Sequence, residues 1–155
     1  MIALAAIEQW PLVRWIGAGA GVYPVLSALH ILSIALVAGP ILLVDLRLIG
    51  ALRSRALDPG LALLARTSMV GAAMAVATGL LIASVQITKY VVNGPFVLKM
   101  ALIALAGLNA FALRRAARAG TWPALVGTAR GRAAGAISLL LWLGVILAGR
   151  WIAFV

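Results

Sequence analysis

Cysteine is absent from this 155-residue sequence, and other residues that carry catalytic chemistry are scarce, with one histidine and three acidic residues. Without cysteine there are no disulfides, thiolate metal sites or redox dithiols. The acids Glu8, Asp45 and Asp58 form no cluster, and there is no His-x-x-x-His pair or phosphate-binding loop. Hydrolytic catalysis is therefore not expected, and the sequence favours a protein that is not an enzyme.

Charge is also sparse, because only 10% of the residues are charged whereas 65% are hydrophobic. Soluble domains are about 45–50% apolar and about 25% charged, so the excess apolar surface must face lipid. Apolar stretches of about 20 residues cross the ~30 Å hydrocarbon core as helices. The sequence predicts an all-α integral membrane four-helix bundle with spans at about 22–48, 62–85, 96–114 and 133–152.

Residues 1–21 lack a long apolar run and contain Trp10 and Trp15, which favour the headgroup level of a bilayer. They are predicted to form an interfacial segment that precedes the transmembrane domain, residues 22–155. Pro40 lies within the first span and predicts a kink, because proline removes an amide donor and clashes with the preceding turn.

The second span carries small residues at four-residue spacing, Gly71, Ala75 and Gly79. Such a stripe lets another helix backbone approach closely. It predicts either packing within the bundle or association with another membrane protein or a second copy.

Basic residues outnumber acids, with a formal net charge of +10. They are unequally divided between the two sides of the membrane, which predicts topology signals and contact with anionic lipid rather than nucleic-acid binding. The positive-inside rule places the richer side in the cytoplasm, so both termini are predicted outside a bacterial inner membrane. The richer side has Arg47, Arg53, Arg55, Arg66, Arg114, Arg115, Arg118, Arg130 and Arg132, and the other has Arg14, Lys89, Lys99 and Arg150.

Polar residues inside a bilayer are costly, and His30 lies about two turns below the outer end of the first span. Tyr23 and Ser27 share its helical face, and Ser27 or Ser33 is predicted to orient the ring. His30 is a candidate haem iron ligand, metal ligand or donor to a quinone carbonyl. The alternative is a structural hydrogen bond between helices.

Lys99 and Arg150 enter the membrane at the same outer layer as His30. Together with Tyr23 they predict a cationic outer mouth that holds an anion, including haem propionates. The alternative is snorkelling of both side chains to the headgroups. Met74 and Met100 are candidate soft ligands beside His30, although methionine is also an ordinary apolar filler.

A second polar cluster is predicted on the inner side, from Asp45, Arg47 and Asn109. Residues two apart on a helix do not face each other, so Asp45 is expected to reach another helix. The candidate partners are Asn109, Arg114 and Arg115. Two roles are open for Asp45, an ion pair that fixes helix register and a step in a proton path.

Several of these strings together resemble a bacterial family of small four-helix inner-membrane proteins catalogued as a domain of unknown function. They are YP at 23–24, LHIL at 29–32, LVDLRLIG at 43–50, FVLKM at 96–100, LNA at 108–110, LW at 141–142 and AGRWI at 148–152. More distantly, the layout is similar to copper-resistance D membrane proteins and small b-type cytochromes. The resemblance implies the same four-helix fold and polar set but no activity.

One departure from that family bears on haem binding. The resemblance implies a histidine just after the asparagine of the third span, where this sequence reads FALRR at 111–115. A pair of axial histidines within one chain is therefore not expected. The second axial ligand would be Met100 or the His30 of a second copy, or that position would stay open.

Three functional hypotheses remain. The first is a carrier of haem b or a quinone in electron transfer, with His30, Tyr23, Ser27, Lys99, Met100 and Arg150 as binding residues. The second is a non-catalytic subunit of a larger membrane complex or homo-oligomer. The third is a small transporter or channel that uses Asp45 and His30, which the short chain and the lack of an inverted repeat make the least favoured.

Overall fold

A computed structural model describes residues 2–52, 60–119 and 122–154, and this part of the chain contains helices, turns and no strand. The predicted all-helical architecture is confirmed. The helices are α1 (Ile2–Glu8), α2 (Pro11–Ala18), α3 (Val22–Ile49), α4 (Leu61–Ser84), α5 (Ile87–Tyr90), α6 (Gly94–Arg118), α7 (Trp122–Leu125), α8 (Ala129–Trp151) and a final 3-10 turn (Ile152–Phe154).

Four helices are long and apolar enough to cross a membrane, over Val22–Ile49, Leu63–Ser84, Gly94–Ala116 and Ala129–Phe154. Most of their large apolar side chains point outward, as Leu80 and Leu140 do with more than two thirds of their surface exposed. Small residues such as Ala106 and Gly135 occupy buried contacts instead. This distribution is typical of a bundle in lipid, where the exterior needs no polar coat. The chain is a multi-pass membrane protein.

The bundle consists of two helical hairpins, α3 with α4 and α6 with α8, which meet where α3 packs on α8. Both contacts of α3 depend on glycine. A Cβ on Gly71 would lie 2.8 Å from the Leu36 Cβ, and a Cβ on Gly135 would lie 3.0 Å from the Asp45 carbonyl oxygen. The close approach predicted for the stripe on α4 is therefore confirmed. Its glycines Gly71 and Gly79 pack on α3 within the chain, and association through the stripe with another protein or a second copy stays a prediction.

The first transmembrane helix continues through Pro40 and ends at Gly50, which takes a left-handed φ of 86°. That conformation favours glycine and allows its amide to cap the helix on the Arg47 carbonyl. The kink expected at Pro40 stays a prediction.

One end of the bundle carries α1, α2 and α5, and we call it the α5 end. Helix α2 buries Val13 and Ile16, whereas Trp10 and Trp15 are each 60% exposed. Helix α1 docks on α5. The Glu8 Oε1 accepts hydrogen bonds from the Thr88 amide at 3.0 Å and from the Thr88 hydroxyl at 2.7 Å. These bonds hold the pKa of Glu8 below its ordinary value of 4.5.

Candidate functional site

His30 lies on α3 in the half of the bundle nearer the α5 end, and its ring packs directly on α4. A Cβ on Gly79 would lie 3.0 Å from the His30 Cε1 and 3.6 Å from its Nδ1. The ring therefore fills the space that a side chain at position 79 would need. The last glycine of the α4 stripe is the reason that an imidazole fits between the two helices.

Thr78, next to Gly79, fixes the orientation of the ring. The His30 Nδ1 and the Thr78 Oγ1 are 2.8 Å apart. The Thr78 hydroxyl donates its single proton to the Met74 carbonyl at 2.7 Å, one turn back on α4. In this arrangement Thr78 accepts from the His30 Nδ1, and the ring also forms a hydrogen bond with the Ala75 backbone. Ser27 and Ser33 were the predicted orienting residues, and Thr78 takes that role instead.

Ser33 is fully buried, and its hydroxyl bonds to the backbone of its own helix. Its hydroxyl donates to the Leu29 carbonyl at 2.6 Å, and its own carbonyl oxygen lies where Gly71 approaches α3. Serine is small enough to lie in this contact, and the bond within the helix satisfies its hydroxyl. Ser33 therefore serves the packing of α3 on α4.

Lys99 of α6 meets the site from the other hairpin. Its stem crosses Gly149 of α8, where an added Cβ would contact the Lys99 Cδ, Cε and Nζ at 3.4–3.6 Å. Its ammonium group lies close enough to His30 for their charges to interact. The structure thus brings His30 and Lys99 to the same region, as expected, with α3, α4, α6 and α8 all contributing.

Three other candidate binding residues, Arg150, Met100 and Met74, are exposed. Arg150 is exposed, and its guanidinium carbon lies 5.0 Å from the centre of the Phe154 ring. Met100 is 41% exposed and Met74 is 36% exposed. Among the residues that the structure describes, no group of three or more His, Cys, Asp or Glu side chains forms a metal site.

Tyr23 lines a cleft of about 310 Å³ at the α5 end. It forms a hydrogen bond with Tyr90, whose ring stacks on Phe96 with the ring centres 5.3 Å apart. Burial, and next the neighbouring Tyr23, raise the pKa of Tyr90 above its ordinary value. Tyr23 precedes His30 by two helical turns, so the cleft lies about 10 Å above the histidine. The remaining lining residues are Gly17, Ile82, Val85 and Gln86.

The predicted inner cluster is divided between separate contacts. Asp45 is 1% exposed and accepts a hydrogen bond from Ser138 of α8. The Asn109 amide donates to the Ala134 carbonyl at 3.2 Å, one turn from Ser138. The Arg47 guanidinium donates to the Leu52 carbonyl at 3.3 Å. Asp45 does reach another helix, but its partner is Ser138 rather than Asn109, Arg114 or Arg115.

Sequence reasoning missed Thr78, Ser138 and the Glu8–Thr88 contact. The signal for the first two was present, because each is a hydroxyl inside an apolar span and such groups need partners in lipid. Spacing along the chain gave no means to pair them, since Thr78 is 48 positions from His30. Serine and threonine also bond their own helix, which makes each a weak indicator of a site.

A family model matches residues 8–155 of the chain, and its description is a family of unknown function, DUF6644. The match covers nearly the whole chain, so the protein belongs to this family. No curated protein and no solved structure matches it. Similarity to copper-resistance D proteins and b-type cytochromes stays a prediction.

Proposed function

We propose that this membrane protein binds the head group of a quinone between His30 and Lys99 and takes part in electron transfer in the bacterial inner membrane. The observation that carries the proposal is the pairing of two complementary groups in an apolar region. In the tautomer that we propose, Nδ1 donates to Thr78 and the Nε2 lone pair is open to a ligand, with the Lys99 ammonium close enough for a charge interaction.

The two groups match both redox forms of a quinone. A quinone carbonyl accepts a hydrogen bond from the Lys99 ammonium, and a quinol hydroxyl donates to the His30 Nε2. Hydrogen bonds that involve a charged partner contribute about 1.5–3 kcal/mol, more than neutral ones. The polyprenyl tail of such a molecule partitions into lipid, so the ligand reaches a site at this depth from within the membrane.

Haem b is the second candidate, because the Nε2 of a histidine held through Nδ1 is also the atom that binds iron. Lys99 would then pair with a propionate. Its weakness is the second axial position, since the chain has a single histidine and Met100 is 41% exposed. A quinone needs no second ligand, and this difference favours the quinone.

The proposed orientation places the α5 end outside and both termini outside the inner membrane. Its support is the distribution of arginines, because the Gly50 end of the bundle carries most of them. The His30–Lys99 pair then lies in the outer half of the bilayer. Electron transfer requires a redox partner, and we propose that this is another membrane protein, in a complex or as a transient contact.

The test is quinone binding by the purified protein in nanodiscs, with ubiquinone and menaquinone analogues measured separately. Lys99→Met keeps an unbranched stem over Gly149 but removes the charge, and His30→Phe keeps a ring on Gly79 but removes both nitrogens. We expect each substitution to weaken binding by about tenfold or more, since each removes a charge-assisted or buried hydrogen bond. Lys89→Met is the matched control, because Lys89 lies exposed on α5.

Affinities that are equal in the wild type and both site variants would contradict quinone binding at this position. A visible spectrum of the same preparation, after haem is supplied, separates the two candidates. A Soret band that is lost in His30→Phe and kept in Lys89→Met would support haem in place of a quinone.

A further inference from the structure

Asp45 occupies the contact between α3 and α8 in the half of the bundle nearer Gly50, away from the His30 site. Gly135 of α8 approaches the Asp45 carbonyl oxygen and the Leu48 and Ile49 side chains, where an added Cβ would lie 3.0–3.1 Å from all three. Leu48 is fully buried beside it. Asp45 itself is 1% exposed, so its carboxyl group is enclosed at this close contact between the two helices.

The carboxyl group has one hydrogen-bond partner. The Ser138 hydroxyl donates to it, whereas the Asp45 Oδ2 is buried and has no partner in the part of the chain that the structure describes. Most buried polar atoms in proteins are hydrogen-bonded, so an orphaned carboxyl oxygen needs an explanation. One serine and one carboxyl group also provide too few ligands for a metal ion.

Three cations on the neighbouring elements have contacts of their own. On α3, Arg47 donates to the Leu52 carbonyl, and on α8, Arg132 donates to the Gly127 carbonyl. On α6, the Arg115 guanidinium lies over the Phe111 ring. Within the described ranges, no positive charge pairs with Asp45. An ionised carboxylate here would be an unpaired charge between two packed apolar helices. Burying that charge costs far more free energy than burying a neutral acid.

We propose that Asp45 is a proton-binding site that is occupied at neutral pH. The neutral acid accepts the Ser138 bond and leaves one uncharged hydroxyl unpaired, which is a much smaller cost than an unpaired charge. To lose its proton, the group must reach water or a cation, and the 1% exposure of Asp45 shows that water does not reach it in this packed arrangement. This inference is independent of the ligand at His30.

Infrared spectroscopy of the full-length protein in lipid at neutral pH tests the proposal. A protonated carboxyl group has a C=O stretch that is separate from the carboxylate bands and moves in heavy water. We expect this band in the wild type and its loss in Asp45→Asn. Glu8 and Asp58 are the other two acids, so few groups contribute to this region.

Ser138→Ala serves as the second variant and does not depend on the folding of Asp45→Asn. It removes the donor to the Asp45 carboxyl group, so the C=O band should move to higher frequency and remain. A wild-type spectrum at neutral pH with no protonated carboxyl band overturns the proposal. So does a band that neither Asp45→Asn nor Ser138→Ala changes.

A hydrophobic carbodiimide gives a chemical readout, because it reacts with protonated carboxyl groups. Glu8 is the internal control, since its hydrogen bonds to Thr88 favour the ionised form. We expect label on the Asp45 peptide at neutral pH and its decline at alkaline pH. Label on Glu8 in preference to Asp45 would count against the proposal.

Discussion

Replacing Gly71 by alanine tests whether the contact between α3 and α4 is as close as the structure indicates. The new methyl carbon would lie 2.8 Å from the Leu36 Cβ, 2.9 Å from its carbonyl carbon and 3.0 Å from the Ser33 oxygen. Two of these three atoms are backbone, so no side-chain rotation relieves the clash. The helices must separate by about 0.6 Å to restore an ordinary contact.

The expected cost follows from overpacking in a closely packed interface, which typically destabilises by about 1–3 kcal/mol. The ratio of folded to unfolded protein should therefore fall roughly 5- to 150-fold. Reversible unfolding by SDS in mixed micelles, followed by circular dichroism, measures this change.

The control is the same substitution at Gly107 on α6, where an added Cβ meets nothing within 4 Å. Gly107→Ala adds the same methyl group at an open position, and we expect no loss of stability, because alanine is the better helix former. Equal stabilities of Gly71→Ala and Gly107→Ala would refute the packing argument.

Three further predictions concern individual polar contacts. Thr78→Val removes the acceptor for the His30 Nδ1, so nitrogen NMR of the single histidine should show a shift toward the Nε2–H tautomer, and an unchanged ratio would contradict the assignment. Docking of α1 by Glu8 should be complete above pH 4.5 and lost as the pH falls through the lowered pKa of Glu8. Tryptophan fluorescence reports that transition, and Glu8→Gln should abolish it. A wild-type protein without the transition would show that the contact contributes nothing. Tyr23→Phe should lower the pKa of Tyr90, and ultraviolet titration of the one remaining tyrosine measures this change. The pKa should stay above its ordinary value because Tyr90 remains buried, and an unchanged or higher pKa would argue against the contact.

The candidate site was only partly accessible from sequence. The cost of polar groups in lipid singles out His30, Lys99 and Asp45 without any coordinates. It does not identify their partners, because Thr78 and Ser138 become neighbours only when particular helix faces meet. Arg150 likewise has a contact that spacing did not predict, because its guanidinium lies over the Phe154 ring.

Composition and apolar run length by themselves determined that this chain forms four membrane-spanning helices, because lipid solvates apolar residues wherever they point around the helix. The spacing of Gly71, Ala75 and Gly79 likewise determined that α4 has a face for close packing. Only the tertiary structure decided which helix fills that face, which hydroxyl holds His30 and which atom of Asp45 lacks a partner. Those outcomes depend on the rotation and relative height of packed helices, which hydropathy does not encode, because every face of a helix in lipid can be equally apolar.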